Sequence, residues 1–574
     1  MKNKKYKTLY TGYGESFNKE APLPDYPRPQ LKRDSYLSLN GIWQFSMSQS
    51  ECEPKEYKET IVVPYPPESA LSGIERIKGK DEILYYKKIF TLPDAFIKDR
   101  VILHFGAVDQ VCRVKLNGVV LGTHEGGYTP FSFDITDFIS DGENTLTVKV
   151  KDTLDLKYPY GKQREKRGGM WYTEVSGIWQ TVWLESVPKD AINSLRISTD
   201  MKSAKITLDA PCGEKKITIH CEGVSEVFSG NEFVFAPKEP KLWSPESPFL
   251  YYFTVECGKD KVESYFALRE IGTEKIDGKA RLTLNGKPYL FSGLLDQGYF
   301  PDGIFTPASY KVYEDDILLA KSLGFNMLRK HIKIEPQIFY HLCDKLGIAV
   351  FQDMVNNSDY SFFRDTVLPT LGLKRLSDKK MHKNRESREI FTDTMKETVK
   401  LLGNSPSVLY YTIFNEGWGQ FSADENYRIA KELDPTRIYD ATSGWFFESE
   451  SDVDSHHVYF KKAKLKWDGQ RPLVLSEFGG YSYRANGHLF GPKNYGYKIF
   501  SSESEYENAV ISLYNNEIVP LVDMGISALV YTQLTDVEDE TNGLVTYDRR
   551  KVKLDADKMR LLNLELYSRS NYKK

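Results

Sequence analysis

The segment Ser407-Val408-Leu409-Tyr410-Tyr411-Thr412-Ile413-Phe414-Asn415-Glu416-Gly417-Trp418-Gly419 carries the first decision about fold. From Val408 to Phe414 it is β-branched and aromatic almost throughout and has no charge, the composition of a buried strand. It then stops on a carboxamide and a carboxylate and breaks into Gly-Trp-Gly. Polar groups at the C-terminal mouth of a strand, with glycines after them, are placed as catalytic residues are placed in a (β/α)8 barrel. Arg471-Pro472-Leu473-Val474-Leu475-Ser476-Glu477-Phe478-Gly479-Gly480 repeats the design. Two strand-end glutamates are the minimum equipment for retaining hydrolysis of a glycosidic bond. A capping or loop role is the commoner fate of a single Glu, so the argument rests on two matching ends within one periodic pattern.

That pattern begins at about residue 273, where β repeats give way to β alternating with helix, the signature of a parallel sheet closed by helices. Eight runs read as barrel strands: 289–295, 325–329, 348–352, 408–414, 438–441, 455–459, 473–476 and 527–532. Helical stretches fall between most of them, at 309–323, 336–346, 386–402, 423–433 and 503–524. The insert 356–383 is longer than a barrel loop needs and is a candidate to shape the pocket entrance.

The preceding sequence is all-β. Up to residue 187, short alternating runs (41–45, 85–90, 101–105, 111–116 and 145–150) are punctuated by Asn117-Gly118, Asp141-Gly142 and several prolines, as in a sandwich or jelly roll. The Gly- and charge-rich stretch Gly161-Lys162-Gln163-Arg164-Glu165-Lys166-Arg167-Gly168-Gly169 reads as a solvated loop in preference to a site wall. From 188 to 272 a second, smaller β segment has candidate strands at 205–208, 216–219, 249–255 and 265–269. It suits an immunoglobulin-like sandwich with a turn at Leu242-Trp243-Ser244-Pro245. The expected organisation is therefore 1–187, 188–272 and a catalytic unit at 273–574.

A chain of 574 residues is too long for one core. Its 77 basic and 80 acidic side chains nearly balance and form no basic block, which argues against nucleic acid or an anionic membrane as the principal partner. The start at residues 1–6 is basic without an apolar stretch behind it, so no signal peptide is read. No run of apolar residues is long enough to span a bilayer. The six cysteines show no Cys-x-x-Cys spacing, which suits reduced thiols in a cytoplasmic protein. No cofactor or metal is expected, and a homo-oligomer is compatible with the sequence.

At a wider scale the residues resemble glycoside hydrolase family 2, the group of β-galactosidases, β-glucuronidases and β-mannosidases. Tyr26-Pro27-Arg28-Pro29-Gln30 and Leu39-Asn40-Gly41-Ile42-Trp43 resemble the family's opening. Val63-Pro64-Tyr65-Pro66-Pro67-Glu68-Ser69, His104-Phe105-Gly106-Ala107-Val108-Asp109 and Val175-Ser176-Gly177-Ile178-Trp179-Gln180 resemble its sugar-binding domain. Phe414-Asn415-Glu416 and Ser476-Glu477-Phe478-Gly479 match its acid/base and nucleophile motifs. The resemblance implies a jelly roll, an immunoglobulin-like sandwich and a (β/α)8 barrel, acting on a carbohydrate.

It also implies roles. Glu416 is the expected general acid and Glu477 the nucleophile, with their carboxyls about 5–5.5 Å apart because direct attack leaves no room for water. Ionised Glu477 then raises the pKa of Glu416, and esterification of Glu477 releases it to act as base. Asn415 is placed to bind the sugar 2-hydroxyl, or else merely turns the chain. Arg329 ends the second strand and is a candidate to hold Glu477 ionised, compatibly with a structural ion pair. His331 follows it at a spacing shorter than the family often uses. Tyr459 resembles the tyrosine that donates to the nucleophile. Of the adjacent His456 and His457, which face opposite sides of a strand, one is expected in the pocket and one in the core, with His456 among the candidate site residues. Asp296 is a candidate glycone reader, Trp418 and Trp445 are candidates to line the aglycone side with simple packing the equal alternative, and Tyr531 stands where a tryptophan platform would be.

The primary expectation is a retaining exo-β-glycosidase of β-galactosidase type. The alternatives are a β-glucuronidase or other uronide- or pentoside-active member, a transglycosylase, and a catalytically silent carbohydrate-binding protein. The glycone expectation rests on Asp536, Glu538, Asp539 and Glu540 after the eighth strand, where no lysine follows Asn542 before Gly543 and Leu544. Carboxylates facing the pocket repel an anionic glycone and offer acceptors to neutral hydroxyls, unless all four point to solvent or a base such as Lys330 or Lys333 intervenes.

Overall fold

The computed structural model describes residues 8–373, 377–467 and 469–570; the basic start at 1–6 and residues 374–376 of the long insert lie outside the described residues. The first β region is a sandwich of two antiparallel sheets. One runs Glu59–Val63, Gly41–Ser48, Ile83–Phe90, Asn144–Lys151, Val111–Leu116, Val119–Glu125, and the other Leu37–Ser38, Val182–Val187, Arg100–Phe105, Phe131–Asp134. Every second residue of Asn144–Lys151 is buried, so Leu146, Val148 and Val150 join Trp43, Phe45 and Val114 between the sheets.

The second β region is a smaller sandwich of three strands (Ser194–Thr199, Ala204–Asp209, Glu232–Phe235) on four (Val224–Ser229, Glu214–Ile219, Tyr251–Cys257, Asp260–Phe266). Its last strand starts and ends earlier than the 265–269 run suggests, because a tight turn pairs Cys257 with Asp260. Cys212 and Cys257 form a disulfide, which corrects the expectation of reduced thiols throughout. Pairing of Glu214–Ile219 with Tyr251–Cys257 brings together two cysteines separated by 45 residues.

The third region is the barrel. Its strands are β1 (Phe291–Asp296), β2 (Met327–Lys330), β3 (Ala349–Asp353), β4 (Val408–Asn415), β5 (Ile438–Ser443), β6 (Asp454–Val458), β7 (Leu473–Gly479) and β8 (Ala528–Thr532). All are parallel, in the order β5-β4-β3-β2-β1-β8-β7-β6. The seam between β5 and β6 lacks a backbone ladder and is bridged by the Ser455 hydroxyl donating to Asp440 at 2.9 Å. Helices Lys311–Ser322, Gln337–Leu346, Arg385–Leu402, Ala423–Leu433 and Glu503–Leu513 pack outside, the last running on through a π turn to Val519–Met524.

Strand alternation sorts the side chains into two cores. Phe291, Leu295, Met327, Phe351, Tyr410, Val474 and Val530 fill the barrel, and Leu294, Leu328, Val350, Leu475, Leu529 and Tyr531 face the helices. Trp243, from the Leu242–Pro245 turn, joins the barrel-filling cluster and donates its Nε1 proton to the Asp344 carbonyl at 2.8 Å, so the second sandwich is keyed into the barrel. A closing helix, Ala556–Ser570, was not read from the sequence. Its Asn563 accepts from the Ser292 hydroxyl at 2.7 Å and donates to the Leu323 carbonyl at 3.0 Å, tying the chain's end to β1. Among the described residues no helix is long and apolar enough to cross a membrane.

Candidate active site

The C-terminal ends of β2, β3, β4, β6 and β7 converge on one buried polar cluster. At its centre the guanidinium of Arg329, on β2, donates from Nε to Asp353 Oδ1 at 2.9 Å and from Nη2 to Asn415 Oδ1 at 2.8 Å. From Nη1 it donates to Glu477 Oε1 at 3.0 Å and to the Ser476 carbonyl at 2.8 Å. Burial works against the charge, but Asp353 and Glu477 outweigh it and hold Arg329 above its ordinary pKa. The other oxygen of Glu477 accepts a hydrogen bond from the Tyr459 hydroxyl. Burial, then the charge of Glu477, pushes the Tyr459 phenol well up, so it remains a donor.

Glu416 sits one residue past β4 with φ +54, the left-handed region that costs a non-glycine residue roughly 1–2 kcal/mol. The conformation is held by Glu416 N donating to the Ser443 carbonyl at 2.9 Å and by Trp445 Nε1 donating to the Glu416 carbonyl at 2.9 Å. Gly417 continues the turn at φ +77, and a Cβ there would lie 2.2 Å from the Phe446 ring. The turn aims the Glu416 carboxylate at His457, whose Nδ1 is 2.8 Å from Glu416 Oε1 and whose Nε2 is 3.6 Å from Glu477 Oε1. One ligand-capable atom from each of Glu416, His457 and Glu477 lies within 4.8 Å of the other two. That separation is the one retaining chemistry uses; inverting enzymes space the pair at about 6.5–9.5 Å to admit a water. The three could also serve a cation, but Arg329 already occupies Glu477 Oε1 and approaches His457 Nε2 at 3.5 Å, so a metal would meet a fixed positive charge.

His331 is in the cluster, with Nδ1 2.6 Å from Asp353 Oδ2. Burial, then the charge of Lys162, pushes its pKa well below the usual range, so the imidazole is neutral near pH 7. Trp445 lies edge-on to His457 at 5.6 Å, and Trp418 stacks on Trp171 at 5.3 Å. The structure thus brings together Glu416, Glu477, Asn415, Arg329, His331, Tyr459, Trp418 and Trp445.

Three sequence candidates go elsewhere. His456 turns away and pairs with Asp454 at 2.9 Å; an irregularity in the β6–β7 register between His456 and His457 gives the pocket to His457. Asp296 belongs to the outward-facing set of β1, where Lys330 Nζ reaches it at 2.6 Å and Gly298 N at 2.9 Å. Tyr531 is packed on the helix side against Phe478 and Tyr514, since Val530 takes the inward position, and Thr532 meets the Tyr459 hydroxyl at 3.0 Å instead.

Several neighbours were missed. Asp353 ends β3 as Glu416 follows β4, so the same strand-end signal marks it. Tyr497, stacked on Tyr459 at 3.7 Å between centroids, and Tyr495 come from an irregular loop with no such signal. The 161–169 stretch is a solvated loop only at Glu165 and Lys166: Lys162 is buried against the rings of Tyr172 and Trp418, Arg164 lies over Trp171 at 4.4 Å, and Arg167 pairs with Glu538 at 3.0 Å and Asp539 at 3.3 Å.

Replacing Arg329 by lysine tests the cluster. A single ammonium cannot serve Asp353, Asn415 and Glu477 together. Turnover of any accepted aryl β-glycoside is expected to fall about a thousandfold in kcat/KM, or ~4 kcal/mol, while circular dichroism shows the fold intact.

Comparison with known proteins bears on this geometry. The family descriptions "Glycosyl hydrolases family 2, sugar binding domain", "Glycosyl hydrolases family 2" and "Glycosyl hydrolases family 2, TIM barrel domain" match residues 36–188, 173–269 and 275–552. A β-galactosidase of Kluyveromyces lactis is 24% identical over 86% of this chain, which spans 52% of that protein's length. A β-glucuronidase of Streptococcus agalactiae is 23% identical over 79% of this chain and 84% of its own. A solved β-glucuronidase structure from an uncultured Clostridium superposes with a TM-score of 0.73 at 19% identity, covering 93% of this chain and 99% of that one, a likeness of fold. With matching descriptions running in order through both sandwiches and the barrel, the chain belongs to glycoside hydrolase family 2.

Proposed function

We propose that this chain is a retaining exo-β-glycosidase. The observation that carries the reading is the pair Glu416 and Glu477, one oxygen of each within 4.8 Å of the other at the barrel mouth. Glu477, fixed through both oxygens by Arg329 and Tyr459, attacks the anomeric carbon while Glu416 protonates the departing oxygen. The product of this step is a glycosyl ester of Glu477. Having given up its proton, and with the Glu477 charge gone, Glu416 stays ionised and takes a proton from the water that cleaves the ester. Asn415 gives its carbonyl oxygen to Arg329, which leaves its Nδ2 as a donor for the sugar 2-hydroxyl, a contact that strengthens in the oxocarbenium-like transition state. His457 lies against both carboxylates and fixes their relative placement.

For the glycone we favour a neutral, galactoside-type sugar. The four carboxylates after β8 are all buried, none turned to solvent. Lys553 pairs with Asp536 at 2.7 Å and Arg167 with Glu538 and Asp539. Glu540 takes the Tyr172 hydroxyl and the Asn542 amide, and its charge, with that of Glu416, helps raise the phenol of Tyr495. Unlike the other three, Glu540 has no lysine or arginine partner among the described residues and remains an acidic acceptor for neutral hydroxyls. Lys330 and Lys333 are not available to a uronate: both are buried and bonded to Glu335, Lys330 also to Asp296.

Two experiments test the reading. In Glu477→Gly, activity is expected to be abolished, and added azide restores part of it by forming an α-glycosyl azide. A β-azide, or activity surviving the substitution, would assign the nucleophile elsewhere. For the glycone, kcat/KM for an aryl β-galactoside is expected to exceed that for the matching β-glucuronide; a clear preference for the glucuronide would overturn the neutral assignment.

A further inference from the structure

Most charged side chains near the barrel mouth have partners. Two do not. Lys162 is 7% exposed, and among the described residues no carboxylate comes within ion-pair distance of it and no acceptor bonds its ammonium. Its nearest groups are the ring faces of Trp418 and Tyr172, with Nζ 5.6 and 5.7 Å from the centroids. Arg164 likewise has rings for neighbours, at 4.4 Å from Trp171 and 5.3 Å from Tyr360. Both cations thus have ring faces in place of a counter-ion, and a ring face offsets only part of what a carboxylate would supply. The neighbouring Arg167, by contrast, is matched to two carboxylates.

These groups form one wall. Trp171 stacks on Trp418, and Tyr360 meets both edge-on at 4.9 and 5.7 Å. Two further polar groups beside them lack partners among the described residues: the Trp418 indole N–H and the Asn356 carboxamide, whose backbone carbonyl accepts from Tyr160 N at 3.0 Å. The wall faces the catalytic cluster. Trp418 follows Glu416 by two residues, and its ring lies 6.4 Å from that of His331. Through its contact with Trp418, Tyr360 lies beside the Glu416 turn, the side from which the leaving group departs in the glycosidase reading.

We propose that Lys162, seconded by Arg164, binds an anionic group on the leaving-group side, so that the preferred substrate joins its glycone to an acidic aglycone, such as a uronic acid residue or a sulfated sugar. The three rings supply a stacking surface for the aglycone, and the two cations supply the charge that selects an acidic one. This rests on the glycosidase reading above, and it gives a role to the 161–169 stretch and to the start of the 356–383 insert.

The test uses whichever glycone gives the fastest 4-nitrophenyl β-glycoside turnover. On that glycone, 3-carboxyphenyl and 3-carbamoylphenyl β-glycosides are compared in wild type, Lys162→Met and Arg164→Met. The acid-to-amide ratio of kcat/KM is expected to fall about tenfold in Lys162→Met, mainly through KM, less in Arg164→Met, and in wild type to fall as salt is raised. A 3-sulfophenyl glycoside falling in parallel with the carboxylate identifies charge as what is read; a fall confined to the carboxylate would overturn the charge argument. A variant that merely disturbs the wall lowers acid and amide alike, and a ratio left unmoved overturns the proposal. So does a ratio left unmoved while an aryl β-galacturonide loses tenfold relative to the galactoside, which would put the anion on the glycone. Absence of turnover with every 4-nitrophenyl glycoside would overturn the glycosidase reading itself.

Discussion

The site depends on one buried guanidinium. Arg329 leaves β2 at the inward-facing position and spends its donors on Asp353 of β3, Asn415 of β4, and both Glu477 and the Ser476 carbonyl of β7. A fully buried positive charge is tolerable only when opposite charge and acceptors surround it, so each contact stabilises the others. The planar fork also converts strand positions into side-chain positions: rotating any of these strands would break at least one bond. Glu477, Asn415 and the Asp353–His331 pair are therefore located by the same group.

The second constraint is the left-handed turn at Glu416. Without it, the alternation of β4 would send the residue after Asn415 along the strand. With φ positive at Glu416 and Gly417, the carboxylate is carried across to His457 and to within reach of Glu477. In the proposed mechanism the strain is small beside the barrier lowering that a correctly placed acid supplies, about 10²–10⁴-fold in rate. The bonds from Ser443, Trp445 and the following turn hold it in place.

Much of this was legible in the sequence, and the limits have physical causes. All eight barrel strands were placed to within about three residues at each end, because a strand buried on both faces is nearly all apolar and its end is marked by the first polar group. Glu416, Glu477, Asn415 and Arg329 were legible for the same reason. Facing was less so: Asp296 and Tyr531 sit at strand positions whose outward orientation follows from alternation counted on neighbours, and His456 was separated from His457 by a register irregularity that no pattern of residue types announces. Nor could the charge-rich 161–169 stretch be told from a solvated loop, since its burial depends on rings supplied from Trp418 and Tyr360, more than 180 residues away. The Cys212–Cys257 disulfide was hidden because strand pairing, not cysteine spacing, brings the two sulfurs together.

The central claim is that Glu477 attacks carbon directly because Glu416 and Glu477 are too close to admit a water between them. Proton NMR of the first turnovers on an aryl β-glycoside reads this out. Direct attack followed by hydrolysis of the ester releases the β-anomer of the free sugar first, with the α-anomer appearing only as mutarotation proceeds. Initial release of the α-anomer would mean a single inverting displacement, and would contradict the account.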